Sequence, residues 1–98
     1  MIRSVVRKTD HKGRVSLARI SLEPSETVEV WWIKKDKVEK KRVVIDKRKR
    51  VRLPVKGTVK IVEVEGMKIL LAIQQEEEMR KMMEELVRFL PLVKSSSI

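Results

Sequence analysis

Two stretches decide the reading of this chain: Thr9-Asp10-His11-Lys12-Gly13-Arg14-Val15-Ser16-Leu17-Ala18 and Ile45-Asp46-Lys47-Arg48-Lys49-Arg50-Val51-Arg52-Leu53-Pro54. Laid over one another at an offset of 36 residues, both read Asp-x-basic-x-Arg-Val-x-Leu. Further on, Thr27-Val28-Glu29-Val30 matches Thr58-Val59-Lys60-Ile61 at an offset of 31. Each copy is therefore a half unit that cannot bury a core alone, and two copies are expected to close on each other. The expected fold is mainly β: a small pseudo-two-fold β barrel from two half-repeats, about 1–37 and 38–73, followed by a C-terminal amphipathic helix over 74–91 and a tail over 92–98.

The repeated turn has its own chemistry. An aspartate at its first position can accept hydrogen bonds from the backbone two residues on. Arg14 and Arg50 follow their aspartates by four residues, near enough for a charge-assisted pair across the mouth of the turn. Asp10 and Asp46 are read as structural. The side chains between, His11 and Lys12 in one copy and Lys47, Arg48 and Lys49 in the other, then point outward.

Strands are legible on either side. Ile2 to Lys8 reads as a first strand. Arg14 to Leu22 alternates Val15, Leu17, Ile20 and Leu22 with a slip of phase, which predicts a bulge or bend near Ala18-Arg19. Glu23-Pro24-Ser25-Glu26 is a turn. Thr27 to Ile33 is β-branched and aromatic, and Val38 to Ile45 returns after a polar loop. Arg50 to Leu53 is short and stops at Pro54. Gly57 to Val64 alternates, turns at Glu65-Gly66, and leads into the nearly all-apolar Met67 to Ile73, the pattern of a central strand. Trp31 and Trp32 are adjacent and must face opposite sides of their strand, so one at most is open to base stacking.

From Gln74 the period changes. Met79, Met82, Met83, Leu86, Val87 and Leu90 recur at helical spacing, Glu76, Glu77 and Glu78 suit the first turn, and Pro91 ends the pattern. The stripe packs on the barrel or on a second copy. Met surfaces also adapt to varied partners, which makes Met79, Met82, Met83 and Leu86 the candidate residues for a protein partner.

Composition narrows the function. The 98 residues hold 24 Lys plus Arg against 14 Asp plus Glu, a net charge of +10. Residues 1–73 carry +11 and residues 74–98 carry −1, and Lys34 to Lys56 alone hold 12 basic and 3 acidic side chains. Networks of ion pairs need both signs, so so few carboxylates favour a polyanion-binding surface that includes Lys41, Arg42 and Arg52. There is no Cys and one His, which leaves no thiolate chemistry and no His-clustered metal site. Neither a nucleophile–base–orienter set nor a phosphate-cradling glycine loop is present, so no enzyme and no cofactor is expected. The longest apolar run, Ile69 to Ile73, is far below the ~20 residues of a membrane span. Nothing after Met1 reads as a signal peptide, and a cytoplasmic, nucleoid-associated protein is expected. Asn is absent and Gln occurs only at Gln74 and Gln75, a composition like that of heat-adapted proteins.

At Asp10-His11-Lys12-Gly13-Arg14-Val15-Ser16-Leu17 the chain resembles the Asp-x-x-Gly-Arg-hydrophobic-x-hydrophobic-Pro start of AbrB-type transcription factors. Its two copies resemble the tandem, MraZ-like branch of that group. The resemblance spans about residues 4–73 in two pieces. It implies a swapped-hairpin or cradle-loop barrel that binds DNA through basic residues near this turn: Lys12, Arg14, Arg48 and Arg50, with His11, Lys47 and Lys49 beside them. The chain departs from that family where a helix and a Gly-Asp box belong. Ala18 to Leu22 reads as strand, and the box positions hold Ser25-Glu26 and Gly57-Thr58. The expected function is a small double-stranded DNA-binding protein, a transcription regulator or chromatin-type factor. The alternative is a basic accessory subunit of a replication, transcription or ribonucleoprotein complex, docked through its helix.

Overall fold

The structure, a computed structural model, describes residues 2–64 and 66–89. Seven strands precede one helix: β1 (Ile2–Lys8), β2 (Arg14–Ser16), β3 (Thr27–Lys34), β4 (Lys37–Val44), β5 (Arg50–Arg52), β6 (Thr58–Val64), β7 (Ile69–Ile73) and α1 (Glu76–Phe89). Five of the strands form one mixed sheet in the order β1-β6-β7-β3-β4, while β2 and β5 pair as a separate two-stranded ribbon. Every neighbour pair is antiparallel except β3 with β7, which run parallel with Val30 beside Leu70. The chain is thus mainly β. Among the described residues no ladder joins the two outer strands, β1 and β4.

Each face of the sheet carries a layer. Beneath the ribbon, Val28, Val30, Val59, Ile61, Leu70 and Ala72 of the sheet meet Val15, Leu17, Ile20, Val51 and Leu53. Beneath the helix, Trp31, Val62, Ile69, Leu71 and Ile73 meet Met82 and Leu86. All five residues of β7 are buried, as the unbroken apolar run requires for a strand covered on both sides. Trp31 and Trp32 do face opposite ways. Trp31 is fully buried under the helix, its indole N–H donating to Glu29 at 2.6 Å, and Trp32 is half-buried.

Two local readings change. The strand expected over Arg14 to Leu22 stops at Ser16. The bulge or bend expected near Ala18-Arg19 takes the form of a tight turn: the Ile20 N–H donates to the Leu17 carbonyl at 3.0 Å, and Arg19 adopts a left-handed backbone at φ 73°. That turn buries Leu17 and Ile20 together without a strand, so the slipped apolar pattern has a second solution. The run of β7 begins at Ile69, because Met67 and Lys68 belong to the turn whose Lys68 carbonyl accepts from Glu29 N–H at 3.0 Å.

The β3–β4 hairpin closes through Lys35 and Asp36, both left-handed at φ 50° and 63°, the conformation of the tight two-residue hairpin turn. At the helix start, the Glu78 carboxylate reaches back to accept from Gln74 N–H at 2.8 Å, satisfying a donor the helix cannot. Glu65 of the expected hairpin, Leu90, Pro91 and the tail over 92–98 lie outside the described residues.

Candidate nucleic-acid interface

Each basic turn is organised by its aspartate. Asp10 Oδ1 accepts from the backbone N–H groups of Lys12 and Arg14, both at 2.9 Å, and its Oδ2 accepts from Arg14 Nε at 2.9 Å. Asp46 does the same with Arg48 N–H at 3.0 Å, Arg50 N–H at 2.8 Å and Arg50 Nε at 3.1 Å. The backbone bonds match as well. Gly13 N–H donates to the Asp10 carbonyl at 2.9 Å, and Lys49 N–H donates to the Asp46 carbonyl at 3.0 Å.

These bonds set the charge of the turns. The Arg14 backbone N–H, with Lys12 N–H and the Arg14 guanidinium, pulls the Asp10 carboxyl down to about 2. Burial works against the Asp46 charge. The N–H groups of Arg50 and Arg48 and the Arg50 guanidinium outweigh it and hold that carboxyl below the usual range. Both aspartates therefore stay ionised and are already engaged, and Arg14 and Arg50 are pinned at half-buried positions.

The ribbon ties the two turns together. Leu53 N–H donates to the Gly13 carbonyl and Leu17 N–H to the Lys49 carbonyl, each at 2.8 Å, so one turn sits at each end of the ribbon. Val15 and Val51 pair at its centre and face the core. Alternation then turns Arg14, Ser16, Arg50 and Arg52 outward, with Arg14 opposite Arg52 and Ser16 opposite Arg50. His11, Lys12, Lys47, Arg48 and Arg52 are exposed and Lys49 is half-buried. None of these six side chains forms an ion pair or hydrogen bond with the described residues. The two turns with their strands hold seven Lys and Arg against two carboxylates.

Lys41 and Arg42, neighbours in sequence, part company. Lys41 pairs with Val30 of the ribbon-side core and lines a shallow groove with Arg52, Leu53 and Pro54. It extends the basic face. Arg42 pairs with Glu29 and lies on the other side of the sheet, in a groove with Glu29, Met67 and Lys68. The basic face does not include it.

One contributor is missing from the sequence reading. Arg7 of β1 donates from Nε to the Ser16 carbonyl at 3.3 Å and from Nη2 to the Ala18 carbonyl at 3.1 Å. It braces the end of β2 and adds a cation beside the ribbon. Only its parity with Val5, which packs on the ribbon-side core, points to it.

The methionine stripe packs on the chain's own sheet. Met82 is 0% and Leu86 4% exposed, with Met79 and Met83 half-buried at the margin. Two cations beside the helix are matched. Lys40 Nζ lies 2.9 Å from a Glu85 oxygen and 4.5 Å above the Trp31 ring, and Lys81 Nζ lies 2.7 Å from Asp36. Lys40 holds the Glu85 carboxyl, and Lys81 the Asp36 carboxyl, below the usual range.

Among the described residues no group of three or more His, Asp or Glu could hold a metal ion, and no helix is long and apolar enough to cross a membrane. Compared with protein-family models, with curated proteins and with solved structures, the chain matches none.

Proposed function

We propose that the protein binds double-stranded DNA through the outer face of its β2–β5 ribbon and the two turns that flank it. The observation that carries this reading is the imbalance of charge on that face. Seven cations surround two carboxylates, and both carboxylates are consumed inside their turns. Unpaired guanidinium and ammonium groups on a rigid frame suit phosphate oxygens, which supply most of the affinity of duplex binders.

The dimensions agree. Gly13 and Leu17 bracket the ribbon and lie opposite Leu53 and Lys49, so the two turns are about 13 Å apart at ~3.3 Å per residue. The major groove is ~12 Å wide and admits a two-stranded ribbon. In this reading the ribbon lies in the groove, each turn meets one phosphate backbone, and Arg52 and Ser16 are nearest the base edges.

The half-repeat reading belongs to the same proposal. Shifting β1 by 36 residues and β6 back by 31 converts the pair Val5↔Ile61 into Lys41↔Val30, and Lys8↔Thr58 into Val44↔Thr27. The ribbon maps onto itself, with Val15 opposite Val51. This supports two copies of one half, arranged about an axis through the ribbon, as a barrel-like AbrB/MraZ-like regulator would be. Burial of Met82 and Leu86 gives the accessory-subunit alternative less to stand on, since only Met79 and Met83 at the margin and the exposed Val87 remain for a partner.

A gel-shift titration of duplex DNA against salt tests the proposal. Arg48→Ala together with Lys47→Ala, both exposed and free of partners among the described residues, is expected to lower the salt slope by about 1.8, since each lost phosphate contact removes ~0.9. An unchanged slope refutes the assignment. Equal binding to single-stranded DNA or RNA refutes the duplex preference.

A further inference from the structure

We infer, resting on the duplex reading above, that the two turns are unequal: the Asp46 turn is the phosphate anchor, and Lys49 is kept in a left-handed backbone conformation for its charge. The turns share one hydrogen-bond pattern, so differences between their side chains are not imposed by the scaffold. At the fourth position the first turn has Gly13 at φ 78°, and the second has Lys49 at φ 59°. A side chain in this region crowds its own backbone, which is why glycine is the usual occupant.

Gly13 obeys that rule with an added reason: a Cβ there would come within 3.2 Å of the Leu53 carbonyl oxygen. Lys49 breaks it at the equivalent position. Stability alone selects glycine at both places. Arg19 and Lys35 adopt the same backbone in their turns, so it is the contrast with Gly13 in an otherwise matching turn that points to function. What Lys49 adds is charge. Between its aspartate and arginine, the first turn carries one lysine, one histidine and one glycine, whereas the second carries Lys47, Arg48 and Lys49. A scaffold with two matching ends therefore presents a weak end and a strong end. On a duplex the strong end grips one phosphate backbone, and the protein lies in one orientation rather than two.

The test compares Lys49→Gly, Lys47→Ala and Lys12→Ala in the full chain, by thermal unfolding and by salt-dependent binding to a short duplex. Lys49→Gly is expected to raise the unfolding midpoint by roughly 2–5 °C. It should also weaken binding about eight-fold near 0.1 M salt, with a slope smaller by ~0.9. Lys47→Ala should show the same loss of affinity without that rise in midpoint, separating backbone relief from loss of charge. Lys12→Ala should leave the slope nearly unchanged.

If the wild-type chain binds but Lys12→Ala loses as much as Lys49→Gly, or Lys49→Gly binds normally, this inference fails and the duplex reading stands. A lowered midpoint in Lys49→Gly also overturns it. Failure of the wild-type chain to bind duplex at low salt overturns both.

Discussion

The cations packed beside the helix and those of the two basic turns are used in opposite ways. On the helix side, Lys40 and Lys81 each meet a carboxylate from another element, and Lys40 also lies over the Trp31 ring. On the ribbon side, Arg14 and Arg50 close their own turns and Arg7 braces β2 through two carbonyls, while Lys12, Lys47, Arg48, Lys49 and Arg52 have no partner among the described residues. Net charge alone cannot tell these cases apart. Pairing can: a cation given a carboxylate holds the fold together, and one left unpaired on a rigid frame is available to something outside it.

The strongest way to break this contrast is to undock the helix. Met82→Ala or Leu86→Ala removes a side chain from a closed core and is expected to destabilise by about 2–5 kcal/mol each, measured by urea unfolding. Duplex affinity of the still-folded fraction should remain unchanged. A parallel loss of affinity would mean that the helix side also touches DNA. Next in size, Arg48→Ala with Lys47→Ala should weaken duplex binding by roughly 60-fold near 0.1 M salt, about 2.4 kcal/mol. Both side chains are solvent-exposed, so the unfolding midpoint should hold.

Lys40→Ala inverts that pattern. It is expected to cost about 1 kcal/mol of stability through the lost ion pair and ring contact, with no effect on binding. The smallest effect concerns acid. The Asp10 carboxyl is depressed from 3.8 to about 2. Its ionised form therefore contributes stability that is fully present above its unfolded value and lost as pH falls through the folded one. Asp10→Asn should flatten the decline in unfolding midpoint between about pH 4 and pH 2. An unchanged pH profile would mean that the Asp10–Arg14 pair contributes nothing measurable to holding its turn.

Much of the fold is legible in local pattern. The Asp-to-Arg spacing anticipates the bonds found in both turns, and the β-branched runs of β3, β6 and β7 and the 3.6-residue stripe of α1 are where the sequence reading expects them. Position across the sheet is not local. Nothing in Lys41-Arg42 tells which of the two joins the basic face until β4 is known to pair with β3, which fixes Lys41 opposite Val30. The same holds for Arg7, whose acceptors are carbonyls nine and eleven residues away. At Leu17 and Ile20 the apolar spacing admits either a kinked strand or a tight turn, and only a left-handed Arg19 decides between them. Single-residue chemistry is readable from sequence where its partners are four residues away, and not where they arrive from another strand.

The place of β7 has a consequence for how the molecule is made. This strand lies in the middle of the sheet, between β6 and β3, yet it comes last in sequence among the described strands. Glu29 must wait for Ile69 before its neighbour exists, and Ile2 must wait for Val64. The growing polypeptide can form the β3–β4 hairpin early, but the sheet has a gap at its centre until residues 69–73 have been synthesised. Long-range pairing of this kind slows folding. A chain ending before Ile69 leaves β3 and β6 each with an unpaired edge, an open template for pairing with another chain.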